Sequence, residues 1–116
     1  MDVKALVRMA LTAGALCVTM VAHAEPVWID VRSWLEHRFD NIDGDIRIPH
    51  DEIVEQVRQR YPDRATEMRL YCRSGGRSDK AVAALQEAGY TNVSNAGSID
   101  DARRERGLLA QPYATP

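Results

Sequence analysis

The stretch "LYCRSGGRSDKA", Leu70 to Ala81, sets a cysteine at the end of an apolar run. Two arginines, two glycines and two serines follow it, ahead of a segment with a helical pattern. Nucleophilic chemistry at such a residue needs the thiolate, and with a reference pKa of about 8.5 only a few per cent of a cysteine is ionised at neutral pH. The neighbours of Cys72 offer three ways of favouring the anion. Gly75 and Gly76 let the backbone curl so that successive N–H groups converge on one negative atom. A helix expected to begin near Ser78, with Ser78 as its N-cap, brings free N–H groups and the positive end of its dipole to the same place. Arg73 and Arg77 add permanent charge and forked donors suited to an oxyanion. Cys72 as nucleophile, with Arg73, Ser74, Gly75, Gly76, Arg77 and Ser78 around the bound anion, therefore describe one site, and the loop is expected to expose the thiol. The plain alternative is a cysteine buried as a small hydrophobe ahead of a glycine turn. The coincidence of strand end, glycines, arginines and helix start favours the reactive reading.

Compartment bears on the same cysteine. Lys4 and Arg8 precede the apolar run Met9 to Ala22, and "AHA" at Ala22 to Ala24 has the small-x-small form of a cleavage site. The run falls short of the roughly 20 residues that span a bilayer, so residues 1–24 are expected to be a signal peptide and residues 25–116 the mature domain. Cys17, directly after Leu16, lacks the spacing of a lipoprotein box. Cleavage would leave 92 of the 116 residues, enough for one modest core. The leader holds one acid and two bases, so its removal takes the net charge from −2 to −3. That mild acidity argues against nucleic acid as the main partner. No further long apolar run remains to hold the mature chain in a membrane, so the expected product is a periplasmic protein, acting as a monomer. Cys72 would then be its only thiol, in an oxidising compartment where an unpaired cysteine is buried and inert, paired with another chain, or kept because it reacts.

The rest of the chain reads as a scaffold for that loop. "VWIDV" from Val27 has the continuous apolar character of a strand buried on both faces. "SWLEHRF" reads as a short helix, with Ser33 and Glu36 forming a capping box and Trp34 and Leu35 facing the core. "IRIP" is a short strand closed by Pro49. "HDEIVEQVRQRY" repeats Ile53, Val57 and Tyr61 at helical spacing and stops at Pro62. "EMRLYC" is a strand with Met68 and Leu70 on one face. After the loop, Ala81, Leu85 and Ala88 make an apolar helical stripe ended by Gly89. "TNVSN" is a fourth strand, "SIDDARRERG" a last short helix, and "LLAQPYATP" a loosely held tail. Alternating strands and helices with short connections imply an α/β fold with a central, mostly parallel sheet flanked by helices. Such sheets bind ligands beyond the carboxyl ends of their strands, where Cys72 stands.

In these residues the chain resembles the rhodanese family, specifically its small, exported, single-domain bacterial members. The likeness covers most of the mature chain: "IDVR" at Ile29, Glu36, "IDGDIRIP" at Ile42, "YCRSGGRS" at Tyr71, "EAGYTNV" at Glu87 and "NAGSI" at Asn95, in the family's order. The resemblance implies a rhodanese-like fold and a thiosulfate sulfurtransferase. Cys72 would take the outer sulfur of thiosulfate as a persulfide, held by the amides of the loop from Arg73 to Arg77, and pass it to cyanide or a thiol. No metal or other cofactor is implied. The chain departs from the family at Asn41, where many members carry histidine, at Asp45, where alanine is usual, and in "NAGSI", which lacks a second glycine and a following tryptophan. These positions lie outside the loop and bear on substrate preference and local packing.

Two rivals stand beside this reading. Cysteine phosphatases place five residues between nucleophile and arginine; here four separate Cys72 from Arg77, a tighter cradle that suits a single sulfur atom. A sulfur carrier or redox-thiol module fed by a partner protein would present the same loop. Elsewhere ordinary roles suffice. His37 and His50 read as solvated surface without metal-ligand spacing, Arg32 and Glu36 as an i, i+4 pair, Trp28 and Trp34 as core. Arg103, Arg104 and Arg106 read as a solvated basic face.

Overall fold

The computed structural model describes residues 25–108; the expected leader, and the expected loose tail apart from Leu108, lie outside them. Four strands, β1 (Val27–Asp30), β2 (Ile46–Arg47), β3 (Met68–Cys72) and β4 (Val93–Ser98), form one sheet in the order β2-β1-β3-β4. Every neighbouring pair is parallel. Parallel neighbours require crossovers, supplied by α1 (Trp34–Phe39), α2 (Ile53–Arg60) and α3 (Gly76–Glu87), with α4 (Ile99–Glu105) closing the described chain.

Side-chain alternation along β3 divides the core. Met68, Leu70 and Cys72 join Ile29, Val57, Ala81 and Leu85 in the larger apolar cluster, while Tyr71 packs on the opposite face with Ile42, Ile99 and Ala102. The stripes expected on α2 and α3 are present: Ile53, Val57, Ala81 and Leu85 are all at most 2% exposed. Residues 50–61 form a 3₁₀ turn (His50–Glu52) running into α2 rather than one helix. The fourth strand begins at Val93 and extends to Ser98, further than the sequence pattern suggested.

Other expectations are corrected. Trp34 and Leu35 do not face the core; with Phe39 they point to solvent, and α1 has no buried residue. Its capping box does form, with Ser33 Oγ accepting from Glu36 N–H and the Glu36 carboxylate accepting from Ser33 N–H. This small helix is held by its polar residues. Trp28 is partly buried against the Tyr71 cluster. Arg103 is not solvated: it is 6% exposed and bridges to Asp40 at 2.5 Å.

Asp45, one of the departures from the family pattern, ties the sheet edge to α4. Its carboxylate accepts from the Tyr71 hydroxyl at 2.7 Å and from Arg106 at 2.7 and 3.0 Å. Arg106 also lies 4.3 Å from the Trp28 ring centroid. Burial, reinforced by the Asp45 charge, pushes the Tyr71 phenol far up, so it stays a donor. Asp45→Ala would strand a buried hydroxyl and unpair Arg106. A loss of about 2–3 kcal/mol in urea unfolding is expected, against about 1 kcal/mol for Tyr71→Phe, which leaves the ion pair intact. Equal losses would show that the hydroxyl, not the ion pair, is what Asp45 holds.

Candidate active site

Cys72 is the last residue of β3, and the chain passes directly into α3 through Arg73, Ser74 and Gly75. The turn depends on Gly75, the N-cap of α3, whose φ of +95° is in the left-handed region that disfavours a Cβ. Gly76 differs, being the first helical residue, and a Cβ there meets nothing within 4 Å. Of the two glycines read together as making the curl, only Gly75 makes it. Ser78 correspondingly is not the N-cap but the third helical residue, so its own N–H is one of the free donors at the helix start.

Gly75 N–H lies 3.0 Å from Cys72 Sγ, and the Ser78 hydroxyl lies 3.5 Å from it. Burial pushes the thiol up, but the Ser78 hydroxyl and the backbone N–H groups of Ser78, Ser74 and Gly75 more than reverse this, leaving the pKa below the ordinary thiol value. A hydroxyl has one hydrogen to give, and that of Ser78 has a nearer acceptor in Asn95 Oδ1, at 2.7 Å. The amides are therefore the fixed part of the cradle. The expectation of an exposed cysteine fails, since Cys72 has 0% exposure. The sulfur lies on the floor of the loop with the amide hydrogens turned toward it, and a donor reaches it only where the loop admits one.

Asn95 was quoted in the sequence as part of a motif without a role. Between β3 and β4 the register slips after Leu70↔Asn95, so that Tyr71 faces Gly97. This irregularity aims the Asn95 amide at the loop. Its Nδ2 donates to Gly75 O at 3.0 Å, and its Oδ1 accepts from Gly97 N–H at 2.8 Å as well as from Ser78. A glycine within a strand is a sign of a bulge, and Gly97 was the available signal.

The two loop arginines have different surroundings. Arg77 donates to both oxygens of Glu36, at 2.7 and 2.8 Å, a bidentate bridge joining the start of α3 to α1. The Arg32–Glu36 pair expected from i, i+4 spacing does not form. Arg32 instead turns to Asp30, its guanidinium donating to the two carboxylate oxygens at 2.9 and 2.8 Å. Asp30, 0% exposed, also accepts from Arg32 N–H at 2.9 Å, and His37 Nδ1 lies 2.8 Å from its other oxygen. His37 is thus a brace between α1 and the end of β1 rather than free surface. Arg73 is exposed, and among the described residues it has no hydrogen-bond or ion-pair partner. Of the residues from Arg73 to Ser78, then, Ser74, Gly75 and Ser78 turn donors to Cys72, Arg77 is held by Glu36, and Arg73 has no partner among the described residues.

An all-parallel sheet with a cysteine at a strand's carboxyl end, cupped by amides of a loop that enters a helix, is the architecture of rhodanese domains. This chain belongs to the rhodanese-like family, whose domain model matches residues 17–101. The match begins within the segment read as a leader. The chain is 36% identical over 91 residues to thiosulfate sulfurtransferase PspE of Escherichia coli (strain K12), covering 78% of this chain and 88% of that one. Among solved structures, a rhodanese with anions from E. coli superposes with a TM-score of 0.63 at 36% identity, covering 66% of this chain and 91% of that one. A tRNA uridine(34) hydroxylase from Erwinia tasmaniensis is 32% identical over 93 residues, but the chain spans only 27% of its length.

Two expected outcomes test the geometry. Gly75→Ala would force a left-handed alanine, costing about 1–2 kcal/mol and displacing the N–H nearest the sulfur. Gly76→Ala should be neutral or stabilising by up to about 1 kcal/mol. Urea unfolding of the two variants compares them, and equal destabilisation would contradict the assignment of the turn to Gly75. The second outcome concerns acid. The Arg77 guanidinium, helped by Ser33, holds the Glu36 carboxyl at about 2 against an ordinary 4.5. A carboxylate depressed in the folded state stabilises fully above its unfolded value, and its contribution is lost as pH falls through the folded one. The stability gap between wild type and Glu36→Gln should therefore narrow as pH falls from 4.5 to about 2. Both partners are partly exposed, so the gap at neutral pH should stay within about 1 kcal/mol. A gap independent of pH would exclude the bridge as its source.

Proposed function

We propose that this chain is a thiosulfate sulfurtransferase in which Cys72 carries sulfur as a persulfide and passes it to cyanide or a thiol. The observation that carries the reading is the convergence of the Ser74, Gly75 and Ser78 amides on a sulfur that burial alone would keep protonated. Kinship with a sulfurtransferase over most of both chains supports the class of activity.

The chemistry follows from the cradle. The Cys72 thiolate attacks the outer sulfur of thiosulfate; the bond between the two thiosulfate sulfurs breaks, and sulfite leaves with its electron pair. The product is a Cys72 persulfide whose negative outer sulfur takes up amide hydrogen bonds of the kind that held the thiolate. Cyanide or a thiolate then attacks that outer sulfur, and Cys72 leaves as thiolate. No general base is needed if the cysteine is already ionised, and no external oxidant or reductant enters. Arg73, charged, next to the nucleophile in the chain and without a partner among the described residues, suits the sulfonate end of the donor. Arg77 has its fork held by Glu36 and is coupled to Cys72 by charge alone.

The redox-thiol rival fits less well, since a disulfide to another chain brings the two Cα atoms to about 4.4–6.8 Å and Cys72 lies on the floor of the loop. Export is part of the proposal: residues 1–24 are read as a leader, placing the domain from residue 25 in the periplasm. Among the described residues no helix is long and apolar enough to cross a membrane.

Incubation with thiosulfate should add the mass of one sulfur atom to the intact protein and none to Cys72→Ser. An unmodified wild type would contradict the reading. Arg73→Ala should raise the KM for thiosulfate about tenfold, the equivalent of about 1.4 kcal/mol, with little change in urea stability because the residue is exposed. An unchanged KM would remove Arg73 from donor binding.

A further inference from the structure

The side chains of α1 are arranged inversely to those of an ordinary surface helix. Among the described residues the exposed large hydrophobics are Trp34 (59%), Leu35 (55%) and Phe39 (81%), all on this one six-residue helix. Two of its polar side chains face the protein, Glu36 holding Arg77 and His37 reaching Asp30, while Arg38 is exposed and lies over the Trp34 ring. The apolar residues are thus held outward by specific bonds. Contiguous exposed apolar surface on a small domain marks an interaction site.

Part of this surface shares a cavity with Arg73, the residue after Cys72. That cavity, of about 470 Å³, is lined by Leu35 and Phe39 of α1, by Ile99 and Asp100, and by Arg73. The charges along it are already matched, except one. Glu36 is paired with Arg77, Asp40 and Asp100 with Arg103, and Arg32 with Asp30. Arg73 alone among these has no partner within the described residues. The mouth of the site therefore presents an unmatched cation beside the nucleophile and an apolar flank leading away from it.

We propose that this surface docks the sulfur acceptor, and that the acceptor is a cysteine on an exposed protein segment. An apolar side chain of that segment would lie on Leu35 and Phe39, and a carboxylate would face Arg73. Cyanide and small hydrophilic thiols gain nothing from an apolar flank. A second copy of this chain fits poorly: α1, only about 9 Å long and about 10 Å across, offers on the order of 100 Å², well short of the roughly 600 Å² a side that a stable interface buries. The proposal rests on the persulfide reading above. The acceptor thiolate attacks the outer sulfur of the persulfide, that sulfur's bond to Cys72 breaks as its bond to the acceptor forms, and Cys72 departs as thiolate. Electrons balance without a further reagent.

The test uses the full chain, the acetylated peptide Gly-Leu-Cys-Glu-Gly, and the double variant Leu35→Ser/Phe39→Ser, whose exposed positions leave the core untouched. With thiosulfate-loaded protein, the double variant should lose at least about tenfold in kcat/KM for the peptide, while loading and transfer to cyanide stay within about twofold. Titrating the same peptide, with serine for cysteine, into Cys72→Ser protein should change the fluorescence of Trp34 and saturate, and the double variant should abolish this. That titration needs no persulfide. A wild type that does not load but binds the peptide would sink the sulfur-transfer reading and keep the surface. Loading without peptide binding, or equal losses toward peptide and cyanide, would overturn the docking proposal. So would a dimer in sedimentation that the double variant dissociates, since the face would then serve self-association.

Discussion

A sulfur anion withdrawn from water must be repaid by hydrogen bonds, and in this molecule the loop after β3 does so with backbone amides. Burial by itself would raise the Cys72 pKa and silence the thiol. The donors of Ser74, Gly75 and Ser78 reverse that only while the chain turns sharply at Gly75 and runs at once into α3. The rest of the structure can be read as what keeps this turn in place against its tendency to relax.

Three supports converge on it. In the sheet, β3 lies between β1 and β4, with Tyr71 paired to Asp30 on one side and Cys72 paired to Ser98 on the other. From β4, the register slip at Leu70/Tyr71 turns the Asn95 amide toward Gly75 O and Ser78, fastening the loop to the neighbouring strand. From β1, the buried Asp30 gathers Arg32 and His37, fixing the segment that leads into α1, and Glu36 on that helix grips Arg77. Because Asp30 lies in register with Tyr71, the residue before Cys72, the brace and the nucleophile share one end of the sheet. Fixed donors of this kind require no rearrangement when negative charge develops on the sulfur, which is the advantage of preorganised electrostatics.

The same bracing explains why a helix as short as α1 persists without a buried side. Six residues are too few for helix propensity to hold by itself, and its apolar residues contribute nothing to the core. Polar side chains fix it in place, which leaves Leu35 and Phe39 facing solvent. At the far edge of the sheet, Asp45 acts comparably for α4: a carboxylate where the family usually has alanine is satisfied by Tyr71 and Arg106.

Much of this was written in the local sequence. The alternation of Met68, Leu70 and Cys72, the helical spacing of Ile53, Val57, Ala81 and Leu85, and the Ser33–Glu36 capping box are short-range patterns, and each reappears in the fold because period and burial are linked within a single element. The loop from Cys72 to Ser78 was likewise evident, since its glycines, arginines and thiol lie within seven consecutive residues. Long-range partnership was not. Glu36 meets Arg77 across 41 residues and Ser78 meets Asn95 across 17, so spacing suggested Arg32 for Glu36 and nothing for Asn95. The outward face of α1 was also hidden, because a tryptophan and a leucine beside a cap look the same in sequence whether the helix packs by its apolar or its polar side. The sequence alone determined which groups could make a thiolate site; the crossing of strands and helices decided which arginine stayed free, what held the loop, and that the sulfur would lie buried, since those outcomes depend on distances that only the folded chain sets.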